Sequence, residues 1–486
     1  MASVLRTSAA QFRAVALRWC LVWLALLALL APRRAAAEGS DPSFKPTNSI
    51  VEFFMYGRMG MGWAPTGQLA AGAYMNLGDR KAIGGRLEEG DYLEPGVRIH
   101  LLRGDRPEDT KVDFVMDFEL WSNGGAILSD LANDWKLLTI VPEQAYIQAH
   151  NLFHVQGLDL WLGARLYRKN DIHIADYFYF NSLPSQGLGV LYKNLDMALL
   201  VQTGSSPFFQ ADLNQGSPAK APDVVQRLRT MLVAQYKVPF GRRSNYVQAL
   251  TEFHLVPKSQ NAVQKAPLHV NPTDWGFVVG AKLHLDFGND MFNDTSLRYG
   301  SRIANGAASG RSTFDTFGEA AMDGTYNGAY GIEAVDHFMW NVGKIFSLNG
   351  YATLHYDQGA RDFAPKPPAD DPTAPPTPDT RLDFAIGVRP VVYLTNQFHL
   401  MAEATYQGRK DQGLDMGTAL KLSLAPTIVP SGGKGDFWAR PHIRFIYTFG
   451  YYNQAAVDQL MSPYLKTVGP TQYAHFLGAR AEWWFY

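Results

Sequence analysis

Apolar and polar residues alternate with a period of two in segments spread along most of this chain. The C-terminal segment shows the pattern most clearly: Leu477, Ala479, Ala481, Trp483 and Phe485 alternate with Arg480, Glu482 and Trp484. Because successive side chains of a β-strand point to opposite faces, the segment predicts a strand with one apolar and one polar face.

The same alternation recurs in segments 51–59, 92–101, 160–169, 282–287, 382–389 and 438–449. Their polar faces combine Arg, Glu, Asp and His with large aromatic residues. This combination is typical of strands that separate lipid from a water-filled lumen. A water-soluble β-sandwich also alternates, but we expect its polar faces to carry mainly Lys, Thr and Ser.

No apolar run after residue 37 is long enough for a membrane-spanning helix. A membrane protein made of such strands must close into a barrel, because lipid cannot hydrogen-bond to an open sheet edge. With roughly 10 residues per tilted strand and about as many per connection, the chain predicts an all-β, transmembrane, antiparallel barrel of roughly 16 to 20 strands, about 18.

Three segments interrupt the alternation and are predicted to be loops. Residues 121–143 lack a clean period. Residues 170–190 are rich in aromatic and acidic residues, and we expect this loop to fold into the barrel and narrow it. Residues 362–381 are rich in proline, which cannot donate to a strand ladder, so they should project into solvent.

The N-terminus has the pattern of a secretory signal peptide. Three arginines precede an apolar run over residues 21–31, and three alanines stand at 35–37. The run is shorter than the ~18 residues of a membrane-anchor helix, which is the alternative interpretation. We therefore predict a signal peptide at 1–37, a short N-terminal segment at 38–50 and one barrel domain at 51–486.

Composition and charge narrow the function. Removing the leader with its five arginines leaves 39 basic and 45 acidic residues, a formal charge of −6, which disfavours nucleic acid as a partner. The single cysteine, Cys20, lies in the leader, so the mature chain has neither disulfides nor thiol chemistry. The chain lacks the motifs GxSxG, HExxH and GxxxxGK[ST], and we predict no catalytic residue, metal or cofactor.

Motifs in a fixed order resemble those of the maltoporin family of sugar-specific outer-membrane porins, which includes the sucrose porins. The resemblance spans nearly the whole mature chain. Its strongest pieces are VEFFMYGRMGMGW (51–63), NDW (133–135), LWLGARLYRKNDIHIADYFYFN (160–181), VDH (335–337), GVRP (387–390), WARPHIR (438–444) and GARAEWW (478–484).

The resemblance implies a homotrimer of eighteen-stranded barrels in which a row of aromatic residues, the greasy slide, lines each channel. Matched segment by segment, the slide falls on Tyr56, Tyr92, Trp135, Phe292, Trp438 and Trp484, with Trp135 supplied by the neighbouring subunit. The alternation independently assigns Tyr56, Tyr92, Trp438 and Trp484 to polar faces, and Phe292 shares a face with Asp294, Ser296 and Arg298.

The resemblance also implies a polar track and a constriction. The track falls on Arg58, Arg86, Glu94, Lys169 and Asp176, and the constriction on Phe178 and Asn181. This chain departs from the family at four positions: Phe178 replaces a Tyr, Lys169 an Arg, Asn181 an Asp and Glu143 an Arg. These changes remove hydrogen-bonding groups and put a preference for maltodextrins in doubt.

The predicted function is selective passive diffusion of sugars, maltodextrins or other oligo- and disaccharides, across the bacterial outer membrane, without catalysis. A sugar ring can stack its C–H face on an aromatic side chain while its hydroxyls bond to charged groups. The alternatives are a non-selective diffusion porin and an outer-membrane barrel hydrolase. Expected partners are sugars, outer-membrane lipid and two further copies of the chain; a periplasmic sugar-binding protein and phage are further candidates.

Overall fold

A computed structural model describes residues 49–65, 75–78, 84–122, 127, 138–202, 228–261, 269–306, 316–364 and 378–485. The predicted signal peptide and Trp135 lie outside these residues, and the proposed domain boundaries stay predictions.

Twenty-two strands account for most of the described chain. They are β1 (Val51–Trp63), β2 (Tyr92–Leu102), β3 (Lys111–Ser122), β4 (Leu138–His150), β5 (Leu158–Arg168), β6 (Asp171–Ile172), β7 (Tyr177–Phe178), β8 (Ser182–Tyr192), β9 (Leu195–Gln202), β10 (Arg229–Pro239), β11 (Tyr246–Val256), β12 (Ser259–Asn261), β13 (His269–Asn271), β14 (Asp274–Gly288), β15 (Met291–Arg302), β16 (Tyr330–Val342), β17 (Phe346–Gln358), β18 (Thr380–Tyr393), β19 (Phe398–Asp411), β20 (Gly417–Ile428), β21 (His442–Tyr452) and β22 (Tyr473–Phe485).

Eighteen of these strands form one closed antiparallel barrel. Each barrel strand pairs with the next one along the chain, and β22 pairs with β1 from Met55 opposite Phe485 to Trp63 opposite Leu477. The barrel therefore has no open edge, as a sheet in lipid requires. The strand pairs β6–β7 and β12–β13 lie outside this sheet.

The two ends of the barrel differ in the length of their connections. At one end, here called the turn end, β8 and β9 are joined by residues 193–194, and β14 and β15 by residues 289–290. At the other, the loop end, β9 and β10 are joined by residues 203–228, and β15 and β16 by residues 303–329. Short periplasmic turns and longer extracellular loops are the usual arrangement in outer-membrane barrels.

The two faces of the strands confirm the alternation in the sequence. Phe53 is 72% exposed on the outer surface, and Leu162 and Ile386 are also exposed there. On the inner face, buried carboxylates form ion pairs with basic side chains of neighbouring strands; Asp383, which is 1% exposed, lies 2.6 Å from Arg409. The outer face is therefore apolar and the lumen is lined by charge.

Two of the predicted loops are shorter than the sequence indicated. Only residues 170–181 form the inner loop, since β8 begins at Ser182. The prediction for residues 182–190 was wrong because Gly187 and Gly189 hide the period of the strand. A Cβ at Gly189 would lie 2.3 Å from the indole nitrogen of Trp161, so the small residue leaves room for this buried ring.

The segment at 121–143 begins and ends in strands, because β3 extends to Ser122 and β4 starts at Leu138. The β3–β4 register shifts between Asp117 and Phe118, which leaves Glu143 as an extra residue in β4. Such a bulge interrupts the two-residue period. In the Pro-rich segment, β18 begins at Thr380, and residues 365–377 lie outside the described chain.

Two short helices, α1 (Gln454–Asp458) and α2 (Pro463–Val468), lie in the loop-end connection between β21 and β22. Side chains cap both: Asn453 accepts a hydrogen bond from the backbone N–H of Ala456, and Ser462 accepts one from that of Leu465. None of the helices in the described part of the chain is long and apolar enough to cross a membrane.

The outward face of β15 provides a test of the barrel. Leu297 is 57% exposed near the middle of this strand. We expect Leu297→Arg to destabilise the protein in vesicles by about 2–4 kcal/mol, because the charge must enter hydrocarbon. Urea unfolding in lipid vesicles measures the change. Leu297→Phe is the control and should behave like the parent; equal stability of both variants would contradict the assignment of this face.

Candidate functional site

Residues 170–181 leave β5 at the loop end and fold back inside the barrel. Their two short strands pair Asp171 with Phe178 and Ile172 with Tyr177. The turn between them is closed by a 2.8 Å hydrogen bond from the backbone N–H of Ala175 to the carbonyl oxygen of Ile172. This hairpin presents Phe178 to the lumen, where the sequence placed a constriction.

The far wall of the barrel holds this inner loop at a buried carboxylate, Glu333 of β16. The Tyr177 hydroxyl donates to Glu333 Oε2 at 3.0 Å, and the backbone N–H of Phe180 donates to Glu333 Oε1, also at 3.0 Å. Tyr179 extends the contact by donating to Asp294 of β15 at 3.3 Å. A glutamate that is only 1% exposed thus satisfies both of its oxygens by binding the loop.

A second segment, residues 84–91, also lies inside the barrel and meets the inner loop at Arg86. The Arg86 guanidinium lies 3.2 Å from Asp176 and 3.0 Å from Glu89, and it donates to the carbonyl oxygen of His173 at 3.4 Å. Burial raises the pKa of Glu89 to about 7, although the Arg86 charge opposes the shift. Arg86 therefore links the two segments that narrow the lumen.

Four aromatic side chains form a continuous row along the wall. The ring centroids are 5.9 Å apart for Tyr92 and Tyr56, 6.4 Å for Tyr56 and Trp484, and 6.4 Å for Trp484 and Trp438. Tyr92 opens β2 at the loop end, whereas Trp438 lies in the turn-end connection 429–441. The row therefore runs along the wall from the start of β2 to this turn-end connection.

The sequence placed Trp438 on a strand face, but β21 begins only at His442. Trp438 belongs to the preceding turn, where its backbone N–H donates to Asp436 at 2.8 Å. Trp438 joins the row because this turn folds back towards the inside of the barrel. The assignment of residues 438–441 to a strand was therefore wrong, although the Trp438 ring does face the site.

One carboxylate, Glu482 of β22, orders the middle of the row. It accepts hydrogen bonds from the Tyr56 hydroxyl at 3.1 Å, from Arg440 Nε at 2.9 Å and from Arg444. The Arg440 guanidinium in turn lies 4.0 Å from the centre of the Trp484 ring. Charge-assisted contacts of this kind fix the orientation of both aromatic planes.

His173 of the inner loop packs edge-on against the row. Its ring centre lies 5.5 Å from that of Trp484 and 6.1 Å from that of Tyr56. Burial lowers the pKa of His173 to about 4. The ring is therefore neutral near pH 7, and its Nε2–H donates to Glu482 at 3.2 Å.

Row, inner loop and Arg86 together enclose a cavity of about 480 Å³. Its wall combines aromatic rings with both signs of charge. The lining residues are Tyr56, Arg58, Arg86, Tyr92, Glu94, Glu119, Glu143, Arg168, Asp171, His173, Asp176, Phe178, Trp438 and Trp484. Nine of the thirteen predicted site residues are therefore brought together here.

The other four lie elsewhere or outside the described residues. Lys169 borders a smaller cavity of about 90 Å³ and pairs with Asp196 at 2.6 Å. Asn181 is fully buried and accepts a hydrogen bond from Asn170 at 2.7 Å. It therefore joins the two ends of the inner loop and does not line the cavity. Phe292 is the second residue of β15, at the turn end, and its ring centre lies 5.0 Å from that of His337. Trp135 is not among the described residues.

Five of the lining residues were not among the predicted site residues: Glu119, Glu143, Arg168, Asp171 and His173. Glu119 shares the lumen face of β3 with Asp113 and Asp117, so the alternation of residues 112–121 already contains the signal for it. Arg168 has no periodic signal, because it is the last residue of β5 and bends over the inner loop. Its guanidinium lies 3.8 Å from the centre of the Phe178 ring.

Known proteins resemble this chain in sequence and, more distantly, in structure. A model of the LamB porin family matches residues 51–485. The maltoporin of Vibrio cholerae is 25% identical over 409 residues, which cover 82% of this chain and 88% of that protein. Among solved structures, the outer-membrane protein OpdK of Pseudomonas aeruginosa has a TM-score of 0.42 and 9% identity, with 90% of this chain and 98% of that chain covered. OpdL of the same organism has a TM-score of 0.41 and 9% identity, with 90% and 99% covered.

The hydrogen bond between Tyr177 and Glu333 allows a mutational test of how the inner loop is held. Tyr177→Phe removes one hydrogen bond and leaves a buried carboxylate oxygen unpaired, so we expect the free energy of unfolding to fall by about 1–3 kcal/mol. We also expect larger current fluctuations through the reconstituted protein, because the loop is held less firmly. Tyr192→Phe, on the outer surface, is the control. If both variants match the parent in current noise and stability, Glu333 does not hold the loop.

Proposed function

The chain belongs to the LamB porin family, and on that premise we propose that it conducts sugars by passive diffusion along the aromatic row. The protein is an outer-membrane porin. The observation that supports a sugar as the permeant is the combination of the row with a charged cavity wall.

The aromatic row suits the faces of a sugar ring, and the charged groups suit its hydroxyls. A pyranose ring presents C–H groups on its faces, which can pack on Tyr56 or Trp484, and hydroxyls on its edge, which exchange hydrogen bonds with charged groups. Arg58 lies beside the row, with its guanidinium 5.2 Å from the centre of the Tyr92 ring. We infer that Arg58 bonds to hydroxyls of a ring stacked on the row.

A series of weak contacts along the aromatic row allows the sugar to move through the channel. A sugar that leaves Tyr92 can engage Tyr56 and then Trp484 before the first contact is lost, since neighbouring ring centres are 5.9 and 6.4 Å apart. Conduction requires sites that are favourable enough to enter and weak enough to leave. The hydrogen bonds and ion pairs around Glu482 hold the aromatic rings of the row in place. The side chains therefore lose little conformational freedom when the sugar binds.

The constriction favours a short saccharide. Phe178 offers the cavity an apolar edge without a hydroxyl, and Arg168 covers its ring. A volume of about 480 Å³ lies in the range of sites for compact ligands. We propose a disaccharide or short oligosaccharide as the permeant, with Lys169 and Phe292 contacting it outside this cavity.

Removal of the last ring of the row tests its role in sugar binding. Trp438→Ala should weaken sugar binding by about 1–3 kcal/mol, the scale of aromatic stacking on flat ligands. The measurement is the sugar concentration that half-blocks ion current through single channels in a planar bilayer. Trp340→Ala is the control, because Trp340 is exposed on the outer surface.

The outcomes separate the candidate functions. A selective sugar porin is blocked by sugar, and Trp438→Ala raises the half-blocking concentration. A parent channel that conducts salt but is not blocked by any sugar would be a non-selective diffusion porin. Unchanged block in a folded Trp438→Ala variant would remove this residue from the site.

We also propose a homotrimer in which Trp135 of each subunit reaches the neighbouring channel. Electrophoresis in detergent without heating should show a band of three chains that becomes a monomer on boiling. Trp135→Ala should leave this trimer intact and raise the half-blocking sugar concentration. A monomer in the unheated sample, or sugar block unaffected by Trp135→Ala, would contradict the placement of Trp135.

A further inference from the structure

Three glutamates on neighbouring strands form one wall of the cavity near Tyr92. Glu94 lies in β2, Glu119 in β3 and Glu143 in β4, and all three line the cavity. Glu94 and Glu119 follow the inward period of their strands, and the bulge in β4 releases Glu143 from the pairing with β3. We call these three residues the acidic wall.

The acidic wall contains more carboxylate groups than its one basic neighbour, Arg168, can pair with. Arg168 contacts Glu143 Oε1 at a long 3.4 Å, and its guanidinium is also committed to the Phe178 ring at 3.8 Å. Glu94 accepts one hydrogen bond, from the Tyr92 hydroxyl at 3.2 Å. The acidic wall thus has acceptor capacity left over.

Glu143 shows this most directly. Its side chain is only 10% exposed, yet its second carboxylate oxygen, Oε2, has no hydrogen-bond partner among the described residues. A buried carboxylate oxygen without a donor is costly. Because the Glu143 side chain lines the cavity, rotation of its carboxylate would let this oxygen accept from a donor that entered beside the acidic wall, which would relieve that cost.

The remaining charges of the cavity do not supply such a donor. Arg58 pairs with Glu89 at 2.9 Å, and Arg86 pairs with Glu89 and Asp176. Counted over the lining residues, three arginines face five carboxylates. The two surplus carboxylates make the cavity favourable for a cation, and the acidic wall holds three of the five carboxylates.

We propose that the acidic wall binds the ammonium group of an amino sugar while a ring of that sugar stacks on the neighbouring Tyr92. The proposal rests on the proposed sugar-channel function and names the substrate class of the same site. An ammonium group has three donors and no acceptor, which matches a wall made of acceptors. Its hydrogen bonds to carboxylates are stronger than those of a neutral hydroxyl.

A comparison of two disaccharides tests the contribution of the ammonium group to binding. Cellobiose and the β-1,4-linked disaccharide of glucosamine share ring form and linkage, and differ by a hydroxyl or an amine at carbon 2 of each ring. At about pH 6, below the usual pKa of an amine, the second sugar is cationic. We expect it to half-block single-channel current at a concentration roughly tenfold lower than cellobiose, and the ratio should shrink between about 0.1 M and 1 M salt.

Substitution of one of the three glutamates tests whether the acidic wall causes the preference for the amino sugar. Glu119→Gln keeps size and shape and removes one charge, so the ratio of the two half-blocking concentrations should fall at least threefold. Glu108→Gln, in the exposed turn between β2 and β3, removes the same charge elsewhere and should leave the ratio unchanged.

Each other result overturns a defined claim. Equal block by both disaccharides, or an equal ratio in the parent and Glu119→Gln channels, would refute the amino-sugar site while leaving the sugar channel intact. A ratio that falls as much in Glu108→Gln would attribute the preference to net charge rather than to the acidic wall. Absence of block by any disaccharide would instead refute the proposed function.

Discussion

Every backbone donor and acceptor of a membrane-spanning sheet must find its partner within the sheet, because hydrocarbon offers none. The pairing of β22 with β1 meets this requirement over nine residue pairs and closes the barrel. Closure then sets the faces of all eighteen strands: apolar side chains face lipid, and the polar remainder converge on a limited volume. The charged lumen is a consequence of this constraint.

Charges confined in this way are stabilised by pairing and by hydrogen bonds. Arg389 and Glu403 interact through a 2.7 Å hydrogen bond, and both are buried. Three strands further along the wall from β19, Glu482 of β22 gathers Tyr56, Arg440 and Arg444 around one carboxylate. Loss of one partner from such a network leaves an unpaired buried charge, so these contacts hold the aromatic row and the inner loop in a defined arrangement. The site is thus built on the rigid wall of the barrel rather than on its loops alone.

The alternation in the sequence was sufficient to predict the barrel, the outward and inward faces and the approximate strand number, because the side-chain period is a local property. It was insufficient where local signals are weak. Gly187 and Gly189 concealed β8, and the bulge at Glu143 concealed the start of β4. Each of these features depends on what a neighbouring strand places opposite the residue.

The site could be predicted in part for the same reason. Tyr56, Tyr92 and Trp484 lie on strands, and their faces follow from parity. The contact of Arg86 with Asp176 joins residues 90 positions apart in the sequence, and the stacking of Arg168 on Phe178 depends on how the inner loop folds. No periodic pattern encodes such contacts, and the family resemblance pointed to Arg86 but not to Arg168.

A high-resolution structure of the protein in detergent, soaked with a disaccharide that blocks the channel, tests the central claim most directly. Density for the sugar should lie in the cavity between the aromatic row and Phe178, with one ring face packed against Tyr56 or Trp484 and hydroxyls within hydrogen-bond distance of Arg58. Density confined to the outer loops, or an empty cavity at a concentration that saturates block, would contradict the assignment of this row as the path of the sugar.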